Sequence, residues 1–278
     1  MTGGIMTIAR ITLHEAARRR ILLAAFICGA AFLALYATGL YFIERNFTQN
    51  NASLIERRMF ITFFTLAGLY AVNFLTVMTA AMLPVDTLSG EIASGVMQTL
   101  VSKPVRRAEI VLGKWLAHVV LVAAYLLLMA GGVLVIARVI GGGTPPHVTT
   151  GLPLMMLEGV VLVSLSIMGG TRLSTVTNGV FVFGLYGLGF IGGWVEQIGT
   201  MAGNETARYV GTVASLIIPS ESMWQLAAHH MQPSFMRDLP VTPFSPASVP
   251  SGAMVVWAVA YALAALLVAI LSFRKRGL

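Results

Sequence analysis

Charge is what this sequence has least of. Asp, Glu, Lys and Arg make up only 10% of its 278 residues, whereas a soluble domain carries roughly 25%. With 57% hydrophobic residues and a mean hydropathy of +0.83, a water-soluble globular domain is excluded, and lipid must be the main solvent. Cysteine is nearly absent too. The one thiol, Cys28, lies inside an apolar run, so no disulfide framework holds the chain. Catalytic signatures are missing. There is no Gly-x4-Gly-Lys-Ser/Thr loop to cradle ATP phosphates, and the glycines of "GGGTPP" lack both the lysine and a following helix. A His-Glu-x-x-His zinc motif and the paired aspartates that hold a magnesium diphosphate are absent as well. No repeat at 20–50 residues marks a solenoid, and no small-residue cleavage site closes the first apolar run.

What is present is a set of long apolar runs. A helix needs about 20 apolar residues to cross the hydrocarbon core, and six stretches qualify: Ile21 to Ile43, Phe60 to Leu83, Leu112 to Ile140, Leu152 to Gly170, Thr175 to Val195 and Ala253 to Phe273. Val210 to Ile218 is too short to cross and is expected to be re-entrant or interfacial. The fold class is therefore an all-α integral membrane protein with six transmembrane helices. Residues 1–20 alternate at helical spacing, with Ile5, Ile8 and Thr12 on one face and Arg10, His14 and Arg18 on another. They are expected to form an interfacial helix in the headgroup layer.

The net charge of +7 is clustered at the ends of apolar runs rather than spread over a face, which fits an anionic membrane surface and not nucleic acid. With the N-terminus inside, the inner segments hold Arg10, Arg18, Arg19, Arg20, Lys103, Arg106, Arg107, Lys114, Arg172, Arg274, Lys275 and Arg276, 12 of the 18 Lys and Arg. The positive-inside rule then places both termini in the cytoplasm, as in a multi-pass protein of a bacterial-type inner membrane. Residues 196–252 become a long outer segment, too rich in proline for one continuous helix.

Few polar residues interrupt the runs. Glu158 sits about six residues, roughly 9 Å, into the fourth run, and an intramembrane acid is a functional candidate by default. A carboxylate near the outer headgroups is the plainer alternative. Asn73, Thr76 and Thr79 are polar positions in the second run that suit a pathway lining, although threonines also bond their own helix. "SESMWQLAAHHM" has the spacing of a surface helix. His229 and His230 point about 100° apart on it, a poor chelate, so no metal site is assigned. The fifth run, "GVFVFGLYGLGFIGG", carries six glycines between Gly179 and Gly193, a close-packing surface within the chain or between copies.

One stretch is polar where its neighbours are oil: "VDTLSGEIASGVMQTLVSKPVRRAEIVLGK", residues 85–114. Pro84 and Asp86 end the second run, and Asp86 or Ser89 can cap a new helix. Ile92, Val96 and Leu100, with Met97 beside them, form an apolar stripe at helical spacing. Pro104 suits the first turn of the next helix. A short amphipathic helix held between two spans results.

These residues are similar to the cytoplasmic loop of permeases in the ABC-2 superfamily of ABC transporters. The resemblance rests on Asp86, Ser89-Gly90-Glu91, Ser94-Gly95, Leu100, Ser102-Lys103-Pro104-Val105, Arg107, Glu109-Ile110 and Gly113-Lys114. The chain's size resembles that of the single-subunit, NosY-like type. The resemblance implies a coupling helix within residues 86–109 that seats on a separate ABC ATPase. The residues it nominates for that contact are Asp86, Gly90, Glu91, Gly95, Val96, Leu100, Lys103, Pro104, Arg107 and Glu109. Val96 and Leu100 would offer an apolar face, and Glu91 and Arg107 would set its register. It further implies a second permease copy, a homodimer. ATP and magnesium would sit on the partner ATPase, with no cofactor on this chain. The sequence is therefore read as the permease subunit of an ATP-driven exporter working by alternating access, without catalytic residues of its own. A secondary transporter and a non-transporting membrane anchor or assembly factor are the alternatives.

Overall fold

The structure, a computed structural model, describes residues 2–50, 53–101, 105–233 and 248–276. Among these it is helical throughout, with no strand. In chain order the helices are α1 (Thr2–Ala17), α2 (Arg20–Gln49), α3 (Leu54–Met82), α4 (Ser89–Ala93), α5 (Val96–Val101), α6 (Arg107–Gly141), α7 (Val148–Gly170), α8 (Thr175–Met201), α9 (Glu205–Ile217), α10 (Ser220–Met231) and α11 (Gly252–Arg274). Helices α2, α3, α6, α7, α8 and α11 are long and apolar enough to cross a membrane. They coincide with the six predicted runs.

Local chemistry explains the helix ends. Ser53 accepts from the Glu56 amide while the Glu56 carboxylate accepts from the Ser53 amide, a reciprocal cap that starts α3. Ser174 and Asn204 accept from Thr177 and Ala207 in the same way. At 35 residues, α6 is about 52 Å long and so projects beyond a hydrocarbon core of about 30 Å.

Helix α7 is central. Two thirds (67%) of its apolar window is buried, against 17% for α2 at the edge. Around it pack α3, α6, α8, α10 and α11. Arg19, Arg107, Lys114, Arg172 and Arg274 share one end of the bundle, the basic end. Near it one core layer joins Ile8, Ala80, Leu88, Met97, Ile110, Leu162 and Phe273. Toward the other end a second layer joins Leu40, Leu66, Met129, Met155, Trp224 and Met231. Outward-facing side chains such as Leu35, Leu127, Val180, Ile191 and Leu263 are apolar and exposed, which suits a lipid boundary.

Helix α1 lies along α6 at the basic end, burying Ile8, Ala9, Thr12 and Ala16. Gly113 permits this approach. A Cβ there would stand 2.7 Å from the Ile8 Cβ and 2.9 Å from the Ile5 carbonyl.

The segment before the last span departs from expectation. The short apolar stretch falls in α9, which folds back along α8 and leaves Tyr209, Val210, Val213 and Ile217 exposed. The element inserted into the bundle is α10. It was expected to be a surface helix, yet nine of its twelve residues are buried, Met223, Trp224, Leu226 and Met231 among them. Ala227 and Ala228 keep it thin enough to pack on α7, where a Cβ on Gly151 would meet the Met231 sulfur at 2.6 Å.

The glycines of α8 divide by face. A Cβ at Gly189 would stand 2.8 Å from Ile218 Cγ2, and one at Gly192 would overlap Ala214, whereas Gly184 and Gly187 face open space. Overpacking a tight contact costs about 1–3 kcal/mol. Gly192→Leu should therefore lower the melting temperature of the purified protein, and Gly187→Leu should leave it unchanged. Equal melting temperatures for the two variants would contradict this division.

Candidate functional site

The polar loop after α3 is bonded to several elements in turn. Pro84 has no amide hydrogen to continue the helix, and the chain turns at the basic end. Asp86 pairs with Arg19 at the α1–α2 junction. Thr87 Oγ1 and His118 Nε2 on α6 are 3.1 Å apart, and His118 Nδ1 donates to the Lys114 carbonyl at 2.7 Å. Asn178 on α8 donates from Nδ2 to the carbonyls of Val85 and Ser166, both at 2.9 Å. Ser89 donates to the Val85 carbonyl and meets the Thr175 hydroxyl at 2.9 Å. Glu91 receives the Lys114 ammonium at 2.5 Å, with side chains only 16% and 4% exposed. The start of the loop is thus fixed to the α1–α2 junction, α6 and α8 by polar bonds.

Where one amphipathic helix was expected, two short ones stand. Gly95 takes a φ of +78° between α4 and α5. This left-handed turn ends a helix at little cost for glycine alone. The expected apolar stripe is thereby interrupted between Ile92 on α4 and Val96 on α5. Met97 is fully buried, and Ile92 and Leu100 pack on the basic-end core layer. Val96 points away at 52% exposure, together with Ala93, Ser94, Gln98 and Thr99.

The remaining nominated residues are placed as follows. Arg107 Nη1 donates to the carbonyls of Phe273, Arg274 and Arg276 at 3.3, 3.1 and 2.6 Å, satisfying the orphan acceptors at the end of α11. Glu109 accepts from the Arg106 amide at 3.1 Å and lies against Gly4 of α1. Gly90 is half-buried above Asp86. Lys103 and Pro104 lie outside the described residues. The described parts of both chain ends and the loop therefore meet at the same end of the bundle.

A second group sits in the interior. Asn73, Thr76 and Thr79 are buried, and the two threonines donate to Val72 and Leu75 of their own helix, both at 2.8 Å. Glu158 lies deeper than its sequence position implied. Helix α7 begins at Val148, which sets Glu158 about 15 Å along it, near its middle. The side chain is fully buried, and neither oxygen has a hydrogen-bond partner. Asn73 is the polar side chain beside it. Glu221 of α10, Tyr70 of α3 and Tyr186 of α8 lie within electrostatic reach, and Tyr70 packs on Trp224 with ring centroids 5.3 Å apart. Sequence reasoning missed Glu221, because it sits in a stretch with surface-helix composition. The signal available was the helical spacing of Met223, Leu226, Ala227 and Met231. The rings of His229 and His230 stand 6.0 Å apart, edge to face, while Met231 turns into the core. Among the described residues no three His, Cys, Asp or Glu side chains gather as for a metal.

Six apolar spans with α7 buried among them, and a polar loop bonded into one end, make this a multi-pass membrane component of the permease type. The chain belongs to the ABC-2 transporter family: the model described as "ABC-2 family transporter protein" matches residues 6–278. No individual curated protein matches it. It is accordingly a membrane permease of an ABC transporter, a transmembrane component and not itself an ATPase, and the family implies an ABC ATPase as partner.

Removing one member of a buried ion pair leaves the other uncompensated, at about 3–5 kcal/mol. Lys114→Met should sharply lower thermal stability, and adding Glu91→Leu should restore most of it. If the double variant melts at or below the single one, the pair does not hold the loop.

Proposed function

We propose that this chain is the permease subunit of an ATP-driven exporter, and that the exposed side of α4 and α5 is where a separate ATPase seats. The observation that carries the reading is the bonding of residues 85–91 to Arg19, Lys114, His118, Thr175 and Asn178. A lever must be rigidly joined to what it moves and open on the side that is pushed. ATP and magnesium bind on the partner. Its closing motion passes through residues 86–109 to α3 and α6, and substrate is exposed alternately to the two sides.

Two permease copies make the working unit. In support, an apolar groove of about 680 Å³ runs between α8 and α9, lined by Gly184, Gly187, Ile191, Val210 and Val213. Burying such apolar surface against a like surface is favourable where small residues allow close approach. The basic end faces the cytoplasm of a bacterial-type inner membrane, a reading supported by the 12 basic residues assigned to it. After Cys28→Ser, a cysteine at Ser94 should resist an impermeant thiol reagent in intact cells, and one at Asn50 should react. Labelling at Ser94 would reverse the orientation.

The docking test follows from the split stripe. Leu100 is packed into the chain, so a charge there would disturb folding. Val96 is outside. Burying an uncompensated carboxylate costs about 3 kcal/mol or more, hence about a hundredfold in affinity at about 1.4 kcal/mol per tenfold. Val96→Asp should leave the permease folded and inserted yet fail to retain the ATPase on purification. Leu127→Ala, on the lipid-facing side of α6, should retain it. Full retention by Val96→Asp would remove this face as the docking surface.

A further inference from the structure

The interior of the bundle holds buried acceptors that receive no hydrogen bond. Both Glu158 oxygens are buried and unpartnered, and so is Asn73 Oδ1 on the facing helix, although the amide stands beside the carboxyl. A second carboxylate, Glu221, is 8% exposed on α10 and within electrostatic reach. Oxygen acceptors facing one another in a low-dielectric interior repel unless something positive lies between them. Among the described residues no basic side chain hydrogen-bonds the Glu158 carboxyl. Of the elements packed against α7, the basic groups of α3 and α6 sit at helix ends. Arg57 is paired with Glu44, Arg58 and Arg138 are at the end opposite the loop, and Lys114 and His118 are engaged with it. The other titratable groups on these elements are Glu56, Tyr70, Arg107, Glu109, Tyr125, Tyr186, Glu196, His229, His230, Tyr261 and Arg274. None of them hydrogen-bonds the Glu158 carboxyl.

We propose that Glu158, with Asn73 beside it and Glu221 nearby, forms a mid-bundle binding site for one small cation, filled in this arrangement by a proton. The carboxylate takes up a proton to become a carboxylic acid, whose O–H then donates to Asn73 Oδ1 and satisfies both orphaned groups at once. The same oxygens are hard ligands suited to a small alkali ion, so proton and sodium are two occupants of the same chemistry. The site lies in the half-space between α3, α7 and α10, away from the loop, and stands whether or not an ATPase docks on α4 and α5.

The test is infrared spectroscopy of the full chain in lipid nanodiscs at neutral pH, with melting temperature measured in sodium against choline chloride. A protonated-carboxyl C=O band that moves on deuteration and disappears in Glu158→Gln establishes the proton. Asn73→Leu keeps the carboxyl but removes its acceptor, so it must shift that band even if Glu158→Gln fails to fold. Absence of the band together with a sodium-dependent rise in melting temperature, lost in Glu158→Gln, assigns the site to the metal cation. A band that survives Glu158→Gln unchanged, or neither a band nor a sodium effect in the wild-type chain, overturns the proposal.

Discussion

Everything at the basic end depends on one buried charge pair, Lys114 with Glu91. Lys114 stands on α6 in a setting with no water to solvate it, at 3% exposure. It is tolerable there only because the Glu91 carboxylate comes back from the loop to meet it. That requirement fixes where α4 begins and which way it runs. Once α4 is placed, Ser89 falls on Thr175, Asp86 on Arg19 and Met97 on the core. The loop is therefore part of the membrane domain rather than an appendage to it.

Polar ties matter more here than in a soluble bundle, because lipid tails compete with apolar side chains for every exposed surface. What holds the helices is close approach and hydrogen bonding. Gly113 admits α1 onto α6, Gly192 admits α9 onto α8, and Gly68 admits the Tyr36 ring, whose nearest carbon would lie 2.6 Å from a Cβ at that position. Each is a place where a larger residue would open a gap that lipid would enter. The serines and threonines of the spans serve the same economy. Ser164 donates to Val160 at 2.7 Å and accepts the Trp115 indole N–H at 2.9 Å, joining α7 to α6 through one hydroxyl.

The six spans were legible because hydropathy over twenty residues is a strong and local signal. The family was legible because the loop's residue pattern is specific, and the family match over residues 6–278 agrees with it. The direction in which the loop's side chains point was not. Ile92 and Val96 would share a stripe on an unbroken helix, but a left-handed Gly95 turns α5 against α4, and Val96 at the start of α5 is left exposed while Met97 and Leu100 pack on the core. Sequence shows a glycine there and cannot show its φ. Helix α10 was hidden for another reason. It is buried by the company of α7 and α8 rather than by its own hydropathy, and its alanines and serines look like surface residues until the helices that cover them are in place. Glu221 was lost with it, and with Glu221 the second acid of the interior.

The two polar groups of the bundle are satisfied to different degrees, and that difference has a mechanical meaning. At the basic end Asp86, Glu91, Thr87, Asn178 Nδ2 and Arg107 all have partners, so on the reading proposed above a displacement applied to α4 and α5 would be passed to α3, α6 and α8. Mid-bundle, Glu158 and Asn73 Oδ1 have none among the protein's own atoms. A buried group without its partner raises the free energy of the present arrangement relative to one that supplies the partner. An equilibrium between arrangements is moved by whatever binds one of them better. Helix α3 carries both features: Asn73 stands beside Glu158, and the helix ends at Met82, about 14 Å further along its axis, two residues before Pro84 at the start of the loop. A shift of that helix changes the distance between Asn73 and Glu158 in the same stroke that moves the loop. On the proposed reading, the firmly bonded end transmits motion and the unsatisfied middle is where that motion changes what the protein can hold.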